Sequence, residues 1–430
     1  MYLTLSVPRG FIMRSIVSLA AACLLTVAAD SRAAASESWI IPADKIYTAP
    51  DAKPLLNGRI ILRDGRIVAV LSKSSGLIAP INSVSSNCRG VVVAGFQNSH
   101  VHFIEPRFRD AAHLPAAQLS RDLEDMLTKW GFTTVFDVTS DQQNTFALRK
   151  RVESGEVRGP RIRTVGLAIF PVDGLPSYIN DLPADVLARL HQPKNADEAR
   201  ADVRANLAAG TDGTKLFMQT SPAQDVIRGL KPDVARAAVE ETHAQGKPVF
   251  AHPTSLPGLG LAIDSGVDII AHTTLGEREP WDADVVRYMV AKHVAVIPTF
   301  KLWYYELAKE AVPADVSDQL VGATLDELRA FRAAGGKVLF GTDVGYMHSY
   351  DTTQEFELMA KAGMSADDIL ASLTTAPAAR WHDKDLGRVE KGYQADLVVL
   401  GGDPADDVKN FANVRCVFRG GELIYSSVAN

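Results

Sequence analysis

Three cysteines in 430 residues, none in a C-x-x-C pair, exclude a disulfide-built scaffold and a thiolate zinc site of the usual spacing. Lysine and arginine nowhere cluster, and 45 basic residues face 51 acidic ones. That balance speaks against nucleic acid as a partner. The apolar run Ser15–Ala29 has 15 residues, whereas a membrane-spanning helix needs about 20. There is no G-x-S-x-G elbow, no H-E-x-x-H and no Walker A loop, so serine-hydrolase, zincin and P-loop chemistry are set aside. No repeat recurs at the 20–50 residue periods of solenoids. What is present is ordinary globular material: 47% apolar and 22% charged residues, too apolar for a disordered chain.

The first 35 residues stand apart. Arg9 and Arg14 precede the apolar run, and Ala33-Ala34-Ala35 supplies the small residues that a signal peptidase reads. Residues 1–35 therefore read as a signal peptide, starting at Met1 or Met13, and the mature protein as periplasmic or secreted, free of the membrane once the signal is removed. The mature chain carries 42 basic and 50 acidic residues, net −8.

Residues 36–89 read as short strands, with Arg63-Asp64-Gly65-Arg66 as a hairpin turn between apolar runs. Residues 381–430 read the same way. Between them, over 90–380, apolar runs alternate with helical stretches: Val91–Val93, Thr133–Val138, Arg161–Ile169, Thr214–Met218, Pro248–Ala251, Asp268–Ala271, Val294–Thr299 and Val338–Gly341. Eight strands alternating with helices predict an α/β fold, a (β/α)8 TIM barrel. A doubly wound sheet is the alternative, but no G-x-G-x-x-G follows its first strand.

Barrel enzymes carry their chemistry at the C-terminal strand ends. The first strand runs into His100-Val101-His102, and residues i and i+2 of a strand share a face, so two imidazoles can converge on one cation. The fourth holds Lys215 inside an apolar run. The fifth ends at His252, the sixth at His272 and the eighth at Asp343. Each alone has a bland explanation in a packed core. Six such groups at the ends of five strands are expensive to bury without a common partner, and a metal cluster supplies one.

The series His100-x-His102, Lys215, His252, His272 and Asp343 resembles the amidohydrolase superfamily in its binuclear form. The separations of 37, 20 and 71 residues from Lys215 onward are similar to its prolidase-like and imidazolonepropionase-related branch. Gly387, Gly392 and Ala395-Asp396-Leu397 are similar to the family's C-terminal stretch. Asn98 departs from it, since Asp is usual there. The resemblance implies that the two terminal segments form one small β-sandwich. It also implies that His100, His102 and Asp343 hold one divalent ion, and His252 and His272 a second. Lys215 would bridge them as a CO2-derived carbamate, and Asp343 would be the catalytic acid/base. Nitrogen and oxygen ligands suit zinc, with manganese or cobalt admitted.

A metal-bridging hydroxide would then hydrolyse a C–N bond, in a peptide-like or N-acyl amino acid amide. Cyclic amides, lactones and organophosphate esters are the alternative substrates, and a degenerate metal- or ligand-binding barrel the alternative without catalysis. The partner expected is a small molecule or short peptide. Tyr178, Lys301 and His348 on rim loops are candidate contacts for a substrate carboxylate, and a homo-oligomer is left open. Export removes Cys23 and leaves Cys88 and Cys416, one in each half of the family's sandwich. They are either a bridge or two buried thiols.

Overall fold

In the computed structural model, residues 38–428 are described apart from 74, 76–82, 180–183, 224 and 276–279. The signal-peptide reading lies outside them. Five strands come first: β1 (Ser38–Ile46), β2 (Leu55–Arg63), β3 (Arg66–Leu71), β4 (Ser83–Ser85) and β5 (Gly90–Ala94). Then follow β6 (Phe96–Val101), β7 (Phe132–Asp137), β8 (Arg161–Thr164), β9 (Thr214–Phe217), β10 (Gln219–Ala223), β11 (Val226–Gly229), β12 (Val249–His252), β13 (Ile269–Ala271), β14 (Ala295–Ile297) and β15 (Lys337–Val338). The last three are β16 (Leu397–Leu400), β17 (Val414–Arg419) and β18 (Glu422–Ser426).

The terminal segments join in one mixed sheet, ordered β18-β17-β16-β5-β1-β2-β3, with β4 also on β1. Two separate sheets of a sandwich are not what the hydrogen bonds make. Yet Trp39 on β1 and Phe418 on β17, with two strands between them in the sheet order, meet edge to face at 5.9 Å. The sheet therefore curls until one face packs on itself. That face buries Ile41, Ile60, Val92, Val399 and Phe418. The opposite face, through Val91, Val93, Val398 and Val417, joins the main core. Burial on both faces explains why these strands read as continuous apolar runs.

This sheet also corrects one boundary. Val91–Val93 is not the first strand of the 90–380 unit, because β5 pairs with β1 and β16 in the terminal sheet. The strand that starts the α/β part is β6, Phe-Gln-Asn-Ser-His-Val, whose six residues are all buried. Its polar residues hide it from a search for apolar runs.

The α/β part holds parallel strands β6-β7-β8 and β9-β12-β13-β14-β15 as two sheets. Backbone hydrogen bonds link them at both outer edges. Ser99 N–H donates to Phe340 O at 2.8 Å, and Ile169 N–H donates to Lys215 O at 2.9 Å. Helices between the strands are closed by ordinary local chemistry. Asn195 caps Ala196–Ala209 through the Glu198 N–H, and Gly210 ends it at φ 104°. Among the described residues no helix is long and apolar enough to cross a membrane.

Cys88 and Cys416 are joined, their Cα atoms 6.0 Å apart and 328 residues apart in sequence. A link across so long a loop stabilises by about 2–4 kcal/mol. Urea unfolding of a Cys88→Ser/Cys416→Ser variant is expected to show that loss, and equal midpoints would remove the link from the stability of the fold.

Candidate metal centre

The C-terminal ends of the parallel strands surround a cavity of about 800 Å3. His100, His102, Lys215, His252, His272 and Asp343 all line it. The backbone that presents them is strained: His272, Asp343, Thr139, Thr254 and Thr299 all have positive φ without being glycine. Such strain persists where the surrounding structure fixes it and concentrates at functional sites. Close approach matters too. A Cβ on Gly345 would meet His102 O at 1.8 Å, so only glycine lets the chain after Asp343 lie against the chain carrying the histidines.

His100 Nε2 and His102 Nε2 face each other at 3.3 Å. Asp343 Oδ1 lies 2.9 Å from His102 Nε2 and 3.4 Å from His100 Nε2, and its Oδ2 lies 3.7 Å from His272 Nε2. Hydrogen bonds set which nitrogens are free. His102 Nδ1 meets the Thr139 carbonyl at 2.7 Å and so carries the proton. Thr299 Oγ1 donates to Pro298 O, so it accepts from His272 Nδ1–H at 2.6 Å. Both rings therefore turn an unprotonated Nε2 inward, as metal-ligating imidazoles do.

Asp343 Oδ1 consequently has no hydrogen-bond donor although buried, and His100 Nδ1 is likewise unpartnered. His100, His102 and Asp343 each offer an atom within 4.8 Å of the others. A divalent cation fits this donor set, supplying the charge that the carboxylate and the lone pairs lack. His252 and His272 stand beside it, their rings 4.9 Å apart, and His272 is 4.7 Å from His100.

Burial keeps three of the four imidazoles neutral, the form in which a histidine can ligate a cation. Burial, reinforced by Lys215, holds His100 well below the usual imidazole range and His252 at about 3, and burial with His252 and then Lys215 lowers His272 likewise. His102 alone goes up: burial lowers it, but Asp343 and then Asp137 outweigh that. Lys215 is 1% exposed, and burial pulls its amine down to about 7, with Asp343 opposing. A buried amine so easily freed of its proton is available as a nucleophile toward CO2. Asn98, the departure from the usual Asp, still serves the site. It accepts from His100 N–H and donates to Thr342 Oγ1.

A family model described as "Amidohydrolase family" matches residues 91–424. The chain belongs to the amidohydrolase family. Membership makes it a hydrolase acting on carbon–nitrogen bonds, in a family that generally uses divalent metals. An ochratoxinase from Aspergillus niger is 24% identical over 415 residues, which is 87% of this amidohydrolase and 84% of that protein. A Xaa-Pro dipeptidase with methionine bound in its active site superposes with a TM-score of 0.74 at 23% identity, covering 91% of this chain and 100% of that one. A prolidase in complex with N-methylphosphonate-L-proline does so with the same TM-score at 24% identity and the same coverage. Prolidase-like resemblance and fold agree.

The rim is where sequence reading and structure part. Tyr178 lines the cavity and rests on Tyr346, ring centroids 5.2 Å apart. Lys301 does not reach it. Its amine is held by Ser349 O, Ser349 Oγ and Asp351 O, so its charge staples a loop. His348 also lies outside the lining, 64% exposed at its side chain and turned to Glu105, 3.9 Å away. Chain position put both near the mouth, but local acceptors decide where such side chains end. Conversely, the cavity's apolar wall includes Phe170, stacked on Phe217 at 4.5 Å, with Leu302 and Trp303. Phe170 and Leu302 lie just beyond the apolar runs Arg161–Ile169 and Val294–Thr299 and were not among the candidates.

Glu355 was also missed. It is buried, and its two carboxylate oxygens accept from Phe300 N–H and Lys301 N–H, the first turn of the helix Phe300–Lys309 that carries Leu302 and Trp303. Burial raises its carboxyl from 4.5 to about 7, against the two N–H donors that lower it. The folded state therefore binds the proton more tightly than the unfolded one. Its contribution is fully present below about pH 4.5 and is lost as pH rises through about 7. The slope is at most about 1.4 kcal/mol per pH unit. Glu355→Gln should remove that slope, so the melting temperature of the variant relative to the parent rises between pH 5 and 7. A difference independent of pH would reject the assignment.

Proposed function

We propose that this amidohydrolase is an exported, metal-dependent hydrolase of an amide whose substrate carries a large apolar or aromatic group. The observation that carries this is the convergence of four imidazoles, a buried lysine and a carboxylate on one cavity with an aromatic wall. His100, His102 and Asp343 would hold one divalent ion and His252 and His272 a second, with Lys215, as a CO2-derived carbamate, supplying a further anionic ligand. Zinc is the expected metal. The edge-to-edge hydrogen bonds of the two parallel sheets support a closed eight-stranded barrel, and the curled terminal sheet supports a sandwich-like domain beside it. The Cys88–Cys416 link supports export, since disulfides persist in oxidising compartments.

When bound, the divalent ions supply a water acidified toward neutral pH and polarise the scissile carbonyl. The chain supplies the rest. Asp343 accepts the proton of the attacking water and passes it to the leaving nitrogen as the C–O bond forms and the C–N bond breaks. Thr139 and Thr299 keep the proton of His102 and His272 on Nδ1, away from the reaction. Trp303, whose Nε1 donates to Thr273 Oγ1, and the Phe170–Phe217 pair hold the apolar part and exclude water.

The relatives named above as ochratoxinase and prolidases support amide cleavage. The test is one screen of the zinc-loaded mature protein against N-acyl amino acids, dipeptides, lactones and phosphotriesters. Turnover of amides with bulky apolar acyl groups, abolished by chelation and restored by metal, is expected. Turnover confined to lactones or phosphotriesters would overturn the amide reading.

A further inference from the structure

Asp137 has no role in the chemistry above, yet it is fully buried at the end of β7, where it pairs with Val101, the residue before His102. Four donors reach its two oxygens. Ser140 Oγ–H at 2.6 Å and Thr139 N–H at 3.4 Å meet Oδ1. Thr164 Oγ1–H at 2.8 Å and Thr145 Oγ1–H at 3.2 Å meet Oδ2. Two of these protons have nowhere else to go. Ser140 Oγ accepts from Phe103 N–H and Thr164 Oγ1 from Gly166 N–H, so each hydroxyl must donate to Asp137. The site thus demands an acceptor on both oxygens, which a carboxylate provides and an amide does not.

Two paths lead from this carboxylate to His102. Ser140 grips the backbone of Phe103, the residue after His102. Thr139, held at φ 143° between Asp137 and Ala168 N–H, aims its carbonyl at His102 Nδ1. One buried group therefore governs both the backbone and the ring of the imidazole that sits 2.9 Å from Asp343.

We propose that Asp137 is a positioning residue. Through the Thr139 carbonyl and the Ser140 hydroxyl it fixes the tautomer and direction of His102 and thereby sets metal affinity. This rests on His102 being a metal ligand. Asp137→Asn keeps the shape but places an NH2 group against donors, releasing the 137–140 turn. Partners that orient a ligating histidine are worth about 10–100-fold in metal affinity.

The experiment is zinc affinity by chelator competition on the whole mature chain, for the parent, Asp137→Asn, Thr145→Val and His102→Ala, with melting temperatures of the metal-free proteins. Nitrogen NMR of histidine-labelled, metal-free protein reads the His102 tautomer. The expected result is a 10–100-fold weaker affinity and a mixed tautomer in Asp137→Asn. Thr145→Val, which touches only Oδ2, should keep both within about threefold. Unchanged affinity in Asp137→Asn alongside a large loss in His102→Ala would overturn the proposal alone. Unchanged affinity in His102→Ala would overturn the ligand reading beneath it. Equal losses in Asp137→Asn and Thr145→Val, following melting temperature with the tautomer unmoved, would assign Asp137 to the fold only. Should Asp137→Asn fail to fold, Ser140→Ala carries the same test: a smaller loss of affinity supports the proposal, and none overturns it.

Discussion

Asp343→Asn is expected to fold and to bind at least one zinc ion, yet to lose about 10²–10⁴ in kcat, the range for a positioned acid/base. The carboxylate is buried, with Oδ1 between two histidine Nε2 atoms and without a donor of its own. An amide there keeps one acceptor oxygen but loses the charge and the ability to take a proton. The same substitution weakens the ligand set, so kcat must be read at saturating metal. The two effects then separate: metal added in excess recovers occupancy and leaves the proton-transfer loss in place. A fall smaller than tenfold under saturation would take Asp343 out of the proton path and leave it as a ligand only.

Lys215, His252, His272 and Asp343 were legible because each interrupts or ends an apolar run, where burying it has no cheap explanation, and His100 and His102 because residues i and i+2 of a strand share a face. Lys215 is the clearest case, a lysine inside Thr-Lys-Leu-Phe that proves 1% exposed. The first strand of the α/β part was not legible, although His100 and His102 were, because the polar residues Gln97, Asn98 and Ser99 are buried in it and no periodicity of apolar residues marks it. Val91–Val93 took its place, being as apolar as any strand of the α/β part while belonging to the curled sheet.

The supports of the site were invisible for a related reason. The Thr139 carbonyl, the Thr299 hydroxyl and the Glu355 carboxylate act through backbone geometry that exists only after folding. Lys301 and His348 lie outside the cavity lining for a different reason. A long or exposed side chain near the mouth can turn either way, and Ser349, Asp351 and Glu105 turn these two outward. The cysteine pair was narrowed by the expectation that Cys23 leaves with a signal peptide, and decided by the sheet. Cys416 pairs with Val399, which pairs with Val92, four residues beyond Cys88.

Lys215→Ala is expected to remove the second metal ion and most of the activity. Two cations among four imidazoles in one buried cavity would need anionic charge, and among the described residues Asp343 is the carboxylate paired with these histidines. A carbamate on Lys215 would supply the remainder. Its formation needs the neutral amine, which burial makes available near pH 7 where an exposed lysine would stay protonated. The sign follows directly. Reactivation of chelated, CO2-depleted protein by zinc and bicarbonate should be faster at pH 8 than at pH 6, since below about 7 the amine is protonated and cannot attack carbon. Alanine abolishes that dependence along with the bridge. The loss of activity should exceed the roughly 10–100-fold that removing a supporting partner costs, and bound zinc should fall from two equivalents toward one. A short carboxylate added to the variant should restore part of both, because it returns an anion to the space the side chain leaves. Full activity with two ions in Lys215→Ala would show that the cluster holds its metals without this residue, and the buried lysine would then need another account.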